Sequence, residues 1–105
     1  MNIQLTRNAD KFLCITYKIY LQRRKNGISI SEAKRFSKDF LNSCVEFYQW
    51  LPSDIDEARM ELGRNKLIQN WVGTGFSILD EGIIYMENRF KNGLIEVTDF
   101  ISKFI

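Results

Sequence analysis

Apolar residues recur at the spacing of a helix through the last quarter of the chain. From the first of them they are three or four positions apart, at Ile83, Met86, Phe90, Leu94, Val97, Ile101 and Phe104. This period matches the 3.6 residues of an α-helical turn and predicts about six turns of helix. Gly93 falls in the middle of the stripe, and a glycine inside a helix lowers its stability by about 1 kcal/mol. The stripe therefore predicts one long C-terminal helix or a pair of helices.

The same period predicts a first helix over residues 8–24. Either Asn8 or Asp10 can cap its start, because a short polar side chain can accept a hydrogen bond from the first turn. Either Asn26 or Gly27 can take the left-handed conformation that ends a helix. Its apolar stripe is formed by Phe12, Ile15 and Ile19.

A second helix is predicted to begin near Ser31. Ser29 and Glu32 have the spacing of a capping box, in which each side chain bonds to the other's backbone N–H. Ala33, Phe36 and Phe40 share one face of this helix. The following residues, 41–52, can extend the helix or form a separate turn. In the second case the residues expected to pack inward are Val45, Tyr48 and Trp50.

A third helix is predicted to begin after Pro52, with Ser53 as its N-cap. Either Gly63 or Asn65 is expected to end it. The apolar face of this helix is formed by Ile55, Ala58 and Leu62.

Two short strands follow the third helix. Residues 67–72 and 76–79 are predicted strands, joined by a Gly-Thr-Gly turn at 73–75 whose glycines tolerate positive φ. Asp80 is the expected N-cap of the next helix. The pattern therefore predicts a mainly α fold with a small β-hairpin, of the α+β class.

Composition narrows the class of protein. A length of 105 residues suits one domain with one core. No apolar run reaches the ~20 residues that cross a bilayer, and the first residues lack the apolar segment of a signal peptide. Cys14 and Cys44 do not have the spacing of metal ligands. A reduced, cytoplasmic protein is the simplest interpretation, and a single disulfide is the alternative.

Catalytic chemistry finds little support in the sequence. The chain contains no histidine, which removes the commonest general base and metal ligand. Asp54, Asp56 and Glu57 lie in one helical turn, where carboxylates stabilise a helix start and point in different directions. We therefore expect no enzymatic activity, no metal site and no cofactor.

The net charge of +2 is unevenly distributed along the chain. Residues 1–52 contain nine Lys/Arg and four Asp/Glu, a net charge of +5, whereas residues 53–105 contain six and nine, a net charge of −3. The basic residues concentrate between positions 18 and 38, where they can attract phosphate or an acidic protein. Those at 23–25 are also typical of a helix C-terminus.

The order helix, helix, helix, hairpin, helix resembles that of the small single-domain bacterial winged helix-turn-helix family. The phrase FSILDEGIIYME is similar to the FxLTxxGxxYL phrase common in such regulators. The resemblance implies one winged-helix domain over residues 1–105, with residues 83–105 as a C-terminal helical extension. It assigns residues 28–40 to the second helix, 53–62 to the recognition helix, 67–79 to the wing and 82–90 to the helix after it.

The resemblance implies a bacterial, cytoplasmic transcriptional regulator that binds double-stranded DNA. The exposed face of the predicted recognition helix has a formal charge of −3, from Asp54, Asp56, Glu57, Arg59, Met60 and Glu61. Acids there repel phosphates. DNA contact is therefore expected from the basic residues on either side, which are Lys34, Arg35, Lys38, Arg59, Arg64 and Lys66.

Two functions remain open. The first is a DNA-binding regulator that forms a homodimer through the last helix. The second is a degenerate winged-helix module that binds an unidentified protein and no DNA, through exposed Trp71, Phe76 or the C-terminal stripe. Neither function involves a membrane. The residues predicted to face a partner are Leu94, Val97, Ile101 and Phe104.

Overall fold

The computed structural model describes residues 3–71, 73 and 75–103. These residues form six α-helices, one turn of 3-10 helix and one three-stranded antiparallel sheet, which confirms the predicted fold class. The helices are α1 (Arg7–Lys25), α2 (Ile30–Ala33), α3 (Lys38–Ser43), α4 (Pro52–Arg64), α5 (Asp80–Arg89) and α6 (Leu94–Ser102). The strands are β1 (Arg35–Ser37), β2 (Ile68–Trp71) and β3 (Gly75–Ile78), and the 3-10 turn is Val45–Phe47.

Helix α1 lies at the centre of the core, and the six consecutive residues 12–17 are all buried. Its N-cap is Thr6, so the prediction of Asn8 or Asp10 as the cap is wrong. Glu61 of α4 holds Thr6 at the start of the helix, because its carboxylate accepts hydrogen bonds from the Thr6 backbone N–H (2.7 Å) and hydroxyl (2.6 Å). The predicted end is confirmed, since Gly27 has a φ of +85° immediately after the helix.

The predicted second helix is wrong beyond its first turn. Ser29 caps α2 as expected, accepting a hydrogen bond from the Glu32 backbone N–H at 3.3 Å. The chain then extends into β1 instead of continuing as a helix. Strand pairing explains the change, because the Phe36 and Phe76 rings stack with centroids 5.0 Å apart. A tertiary contact therefore overrides the local helical pattern.

The sheet has the strand order β1-β3-β2. The predicted hairpin is confirmed to within a residue at the strand ends, except that Val72 and Thr74 lie outside the described residues. Gly75 has a φ of +114°, and a β-carbon there would clash with the backbone carbonyl of Phe36. This glycine is therefore required where β1 crosses close to β3.

The sheet has an inner and an outer face, because successive side chains of a strand point to opposite sides. The inner face packs on the core and carries Phe36, Ile68, Asn70, Phe76 and Ile78. Phe76 is buried there, so its prediction as an exposed partner contact is wrong. The outer face is turned away from the core and carries Arg35, Ser37, Gln69, Trp71 and Ser77.

Within 41–52, residues 41–43 belong to α3, and residues 44–51 form a separate turn before α4, the second of the two predicted alternatives. Phe47 is buried and Trp50 half-buried, whereas Val45 and Tyr48 are exposed, contrary to prediction. Phe47 takes the inward position because its ring packs 4.9 Å from that of Phe12 in α1.

Two predicted helix caps lie inside their helices instead. Helix α4 begins at Pro52, so Ser53 is not its cap. Proline suits a first helical position because its missing N–H would have no intrahelical partner there. Asp80 is the first residue of α5 and forms an ion pair with Lys34. Gly82 allows α5 to lie against the residue that precedes β2, since a β-carbon at this position would clash with the Leu67 carbonyl.

The C-terminal stripe forms the predicted pair of helices, separated at Gly93, whose φ is +61°. Val97 and Ile101 are buried in the core, where α6 packs on α1, so the prediction that they face a partner is wrong. Leu94 is half-buried, and Phe104 lies outside the described residues. Val97 and Ile101 are apolar because α6 covers the protein's own first helix with them.

Candidate nucleic-acid interface

Helix α4 covers residues 53–62, which the resemblance assigns to the recognition helix, whereas residues 28–40, assigned to the helix before it, form α2, β1 and the start of α3. Helix α4 buries Ala58 and Leu62, as predicted. Its opposite side exposes Asp56, Glu57 and Met60. The acidic character predicted for this surface is therefore present, although Glu61 is engaged with Thr6.

Arg59, a predicted DNA contact, turns towards the hairpin. Its Nε donates to Asn70 Oδ1 (3.0 Å) and its Nη2 to the Gly75 carbonyl (2.9 Å). Its guanidinium also lies 5.3 Å from the centre of the Phe76 ring. Burial lowers the pKa of Arg59 from its ordinary value. These contacts join α4 to the sheet. A phosphate would have to displace them to bind Arg59, so Arg59 is a poor DNA contact.

Lys34 is also engaged within the protein. Its ammonium group donates to the Asp80 carboxylate at 2.7 Å, which joins the end of α2 to the start of α5. Asp80 is exposed, and exposed ion pairs stabilise a fold by at most about 1 kcal/mol. Lys34 can therefore exchange this partner for a phosphate more readily than Arg59 can.

The other four predicted cations, Arg35, Lys38, Arg64 and Lys66, are exposed. Lys38 lines a surface cavity of about 450 Å³ together with Pro52 and Asp56, at the start of α4. Arg64 and Lys66 lie at the other end of the same helix. A helix of 13 residues is about 20 Å long. Exposed positive charge therefore occurs at both ends of α4, separated by its acidic first turns.

Lys38 and Lys66 both occupy positions where the local backbone disfavours a lysine. Lys66 has a φ of +59°, and no other described residue except glycine has a positive φ. Lys38 is the first residue of α3, where the helix dipole favours an acid over a base. Residues that oppose local preference are expected mainly where function requires them.

Three exposed apolar residues lie in the turn between α3 and α4. Val45, Tyr48 and Leu51 are each more than 60% exposed, and Tyr48 lines the same cavity as Lys38. We call these three residues the turn cluster. Exposed apolar residues that lie close together are typical of protein contacts.

Sequence reasoning missed the role of Arg23, which looked like a simple helix-end charge. Its Nη1 donates to the carbonyls of Ala33 (3.2 Å) and Arg35 (2.5 Å), and its guanidinium lies 4.4 Å from the centre of the Phe36 ring. Burial lowers its pKa from the ordinary value. Arg23 therefore covers the outer edge of β1, which would otherwise present unpaired carbonyls.

Both cysteines are free and buried, so the disulfide alternative is not adopted. Burial raises the pKa of Cys14 to about 12 and that of Cys44 to about 11. Cys44 donates to Glu46 (3.3 Å), which also accepts from Lys18 (2.9 Å). These contacts attach the turn after α3 to α1.

Three further findings bear on the site. Within the described ranges, His, Cys, Asp and Glu form no group of three or more that could hold a metal ion. None of the helices in those ranges has both the length and the apolar character to cross a membrane. Comparison with protein-family models, curated proteins and solved structures found no match.

Proposed function

We propose that the chain is a winged helix-turn-helix protein that binds duplex DNA. Helix α4 enters the major groove, Lys38 contacts the phosphates on one side, and Arg64 and Lys66 contact those on the other. The major groove is about 12 Å wide, so a helix about 20 Å long can carry cations to both of its walls. The order α3, α4 and hairpin supports this assignment of roles.

The observation that carries the proposal is the placement of the two lysines. A left-handed residue other than glycine costs about 1–2 kcal/mol, and a base at a helix start about 0.3–1 kcal/mol. Among the described residues, neither Lys38 nor Lys66 forms an ion pair that would offset this loss, and both are exposed. Contact with phosphate would offset the cost of placing these two charges, which contacts within the folded chain do not.

The acids of α4 limit the kind of DNA that this protein binds. Asp56 and Glu57 repel phosphates, which weakens binding to random sequence. A carboxylate can however accept a hydrogen bond from the N4 amino group of cytosine in the major groove. We therefore propose weak affinity for random duplex and a preference for sites with cytosine opposite the first turns of α4.

Fluorescence anisotropy with a labelled random-sequence duplex tests the proposal. Measured between about 50 and 200 mM salt, the slope of log K against log [salt] should be smaller by about 0.9 in Lys38→Gln and in Lys66→Gly, one phosphate contact each. Lys91→Gln, which removes the same charge from the exposed α5–α6 connection, should leave the slope unchanged. Absence of any binding at low salt and micromolar protein contradicts the proposal, as does an equal effect of Lys91→Gln.

A protein-binding module is the second candidate, favoured by the turn cluster. Val45→Ser and Tyr48→Ser should abolish capture of a specific partner without changing thermal stability, because both side chains are exposed. Direct calorimetry with the purified partner then measures the interaction. Partners captured equally by the wild type and by both variants would exclude the turn cluster as the binding site.

The proposed cytoplasmic location agrees with two free thiols, because disulfides are rare in reducing compartments. A homodimer stays a prediction, and it would have to use exposed residues such as Ile95 in place of Val97 and Ile101. Light scattering after size exclusion measures the mass, and Ile95→Asp should dissociate any dimer formed through α6.

A further inference from the structure

The outer face of the sheet is an open surface that the proposed duplex contact does not use. Two rows of side chains cross it. Arg35, Ser77 and Gln69 form one row, and the other joins Ser37 to Trp71 across Gly75. Arg35, Ser37, Gln69 and Trp71 are exposed. Three strands spaced about 4.8 Å apart make a surface about 10 Å across.

Trp71 is fixed on this face while half of its surface remains exposed. Its indole Nε1–H donates to Ser77 Oγ at 3.1 Å, and the residue is 51% exposed. Ser77 is the diagonal neighbour of Trp71, and the direct partner is Gly75, which has no side chain. The indole therefore extends over β3 with its only polar group satisfied. What it offers to a ligand is a flat aromatic surface.

A groove of about 630 Å³ runs beside the indole. Its lining includes Arg35, Ser37, Trp71 and Ser77 from the outer face, together with Glu32 from α2. At the β2 edge of the sheet, Gln69 also lines a separate groove with Arg64 of α4 and the inner-face residues Ile68 and Asn70. One groove thus combines the aromatic surface of Trp71 with the cation of Arg35 and the hydroxyl groups of Ser37 and Ser77.

We propose that the outer face of the sheet binds single-stranded nucleic acid, with a base stacked on Trp71 and a phosphate held by Arg35. Stacking on an exposed aromatic side chain and a basic border are the two features by which proteins bind single strands. A surface about 10 Å across accommodates one or two nucleotides, so affinity is modest and depends little on sequence. Glu32 faces the same groove and weakens binding. This proposal is independent of the duplex contact, which relies on Lys38, Arg64 and Lys66.

Anisotropy with fluorescein-labelled oligothymidylate of about ten nucleotides tests the proposal on the whole chain. Trp71→Leu keeps an apolar side chain but removes the ring, and it should weaken binding about tenfold or more. Trp71→Phe, which keeps a smaller ring, should weaken it less. Arg35→Gln should lower the salt slope by about 0.7, and Glu32→Gln should strengthen binding.

Matched duplex measurements separate this site from the duplex site. Lys66→Gly should leave oligothymidylate binding unchanged while it reduces duplex binding, and Trp71→Leu should do the reverse. Circular dichroism of each variant tests whether it is folded. Ser77→Ala removes the hydrogen bond to the indole but keeps the ring, and it should also weaken binding. The proposal is overturned if oligothymidylate does not bind at low salt, or if Trp71→Leu binds it as well as Trp71→Phe and the wild type do.

Discussion

Replacing Lys66 by glycine should stabilise the protein. Helix α4 ends in a turn in which the Lys66 N–H donates to the Gly63 carbonyl and the Leu67 N–H to the Leu62 carbonyl, both at 3.0 Å. This turn requires a left-handed residue, and glycine usually supplies it. Lys66 adopts the same conformation with a β-carbon, at a φ of +59°.

The magnitude follows from two opposing effects. Relief of the left-handed strain contributes about 1–2 kcal/mol. The greater freedom of glycine in the unfolded chain removes about 0.4–1 kcal/mol of that gain. The midpoints of these two ranges leave a net stabilisation of about 0.8 kcal/mol, and at about 4–8 °C per kcal/mol for a domain of this size Tm should rise by about 3–6 °C.

Thermal and urea unfolding of Lys66→Gly and Lys66→Ala provide the measurement. Alanine removes the charge but keeps the β-carbon, so it should leave Tm close to the wild-type value. Helix α1 supplies the reverse test, because it ends in the same turn with Gly27 at a φ of +85° and open space around it. Gly27→Ala should therefore lower stability through the backbone alone. The reasoning is refuted if Lys66→Gly and Lys66→Ala melt at the same temperature.

The same variant connects stability with binding. If Lys66 contacts phosphate, Lys66→Gly binds duplex DNA less tightly although it is more stable. Loss of binding then cannot be attributed to unfolding, which is the usual ambiguity of a charge substitution.

Three further predictions concern the core. Burial raises the pKa of Glu46, but hydrogen bonds from Lys18 and Cys44 outweigh this effect and leave it below the ordinary value of 4.5. The contribution of Glu46 to stability should thus be complete above pH 4.5 and be lost as the pH falls through the lower folded pKa. Glu46→Gln should lower the free energy of unfolding by about 1–3 kcal/mol at neutral pH. Urea titrations of this variant should show a smaller loss of stability at acid pH than those of the wild type. Because burial raises the pKa of Cys14 and Cys44 to about 12 and about 11, a thiol reagent at pH 8 should modify neither until urea unfolds the protein, and rapid labelling of the native state would contradict their burial. Gly82→Ala should lower the free energy of unfolding by about 1–3 kcal/mol through overpacking, although alanine is normally preferred to glycine in a helix. An increase in Tm would show that α5 does not lie so close to the start of β2.

The sequence was a good guide where structure is local. The hairpin, the third helix and the C-terminal helix pair all lie within a few residues of their predicted positions. Gly27 and Gly93 take the positive φ that their neighbours require. In each case, the residues that determine the conformation are adjacent in the chain.

The sequence misled where distant residues decide the outcome. Ala33, Phe36 and Phe40 have helical spacing, but Phe36 is placed by its stack on Phe76 forty residues later. A second cap signal was present, because Ser37 accepts a hydrogen bond from the Phe40 backbone N–H and begins α3. Glu61 was likewise counted as an exposed acid, although it binds Thr6 at the start of the chain.

Arginines and lysines differ in the same way, because three arginines make contacts within the fold whereas Lys38 and Lys66 remain at the surface. Arg23, Arg59 and Arg89 each place a guanidinium over an aromatic ring while donating to backbone carbonyls or to a carboxylate. A planar guanidinium can stack and donate at once, which suits it to joining packed elements, whereas a lysine ammonium keeps its water and remains at the surface. The formal charge of the sequence therefore overstates the charge available to a ligand, since these arginines stabilise the fold. A charge scan that treats all basic residues alike would lose binding at these three arginines through unfolding, so the informative substitutions are those at Lys38 and Lys66.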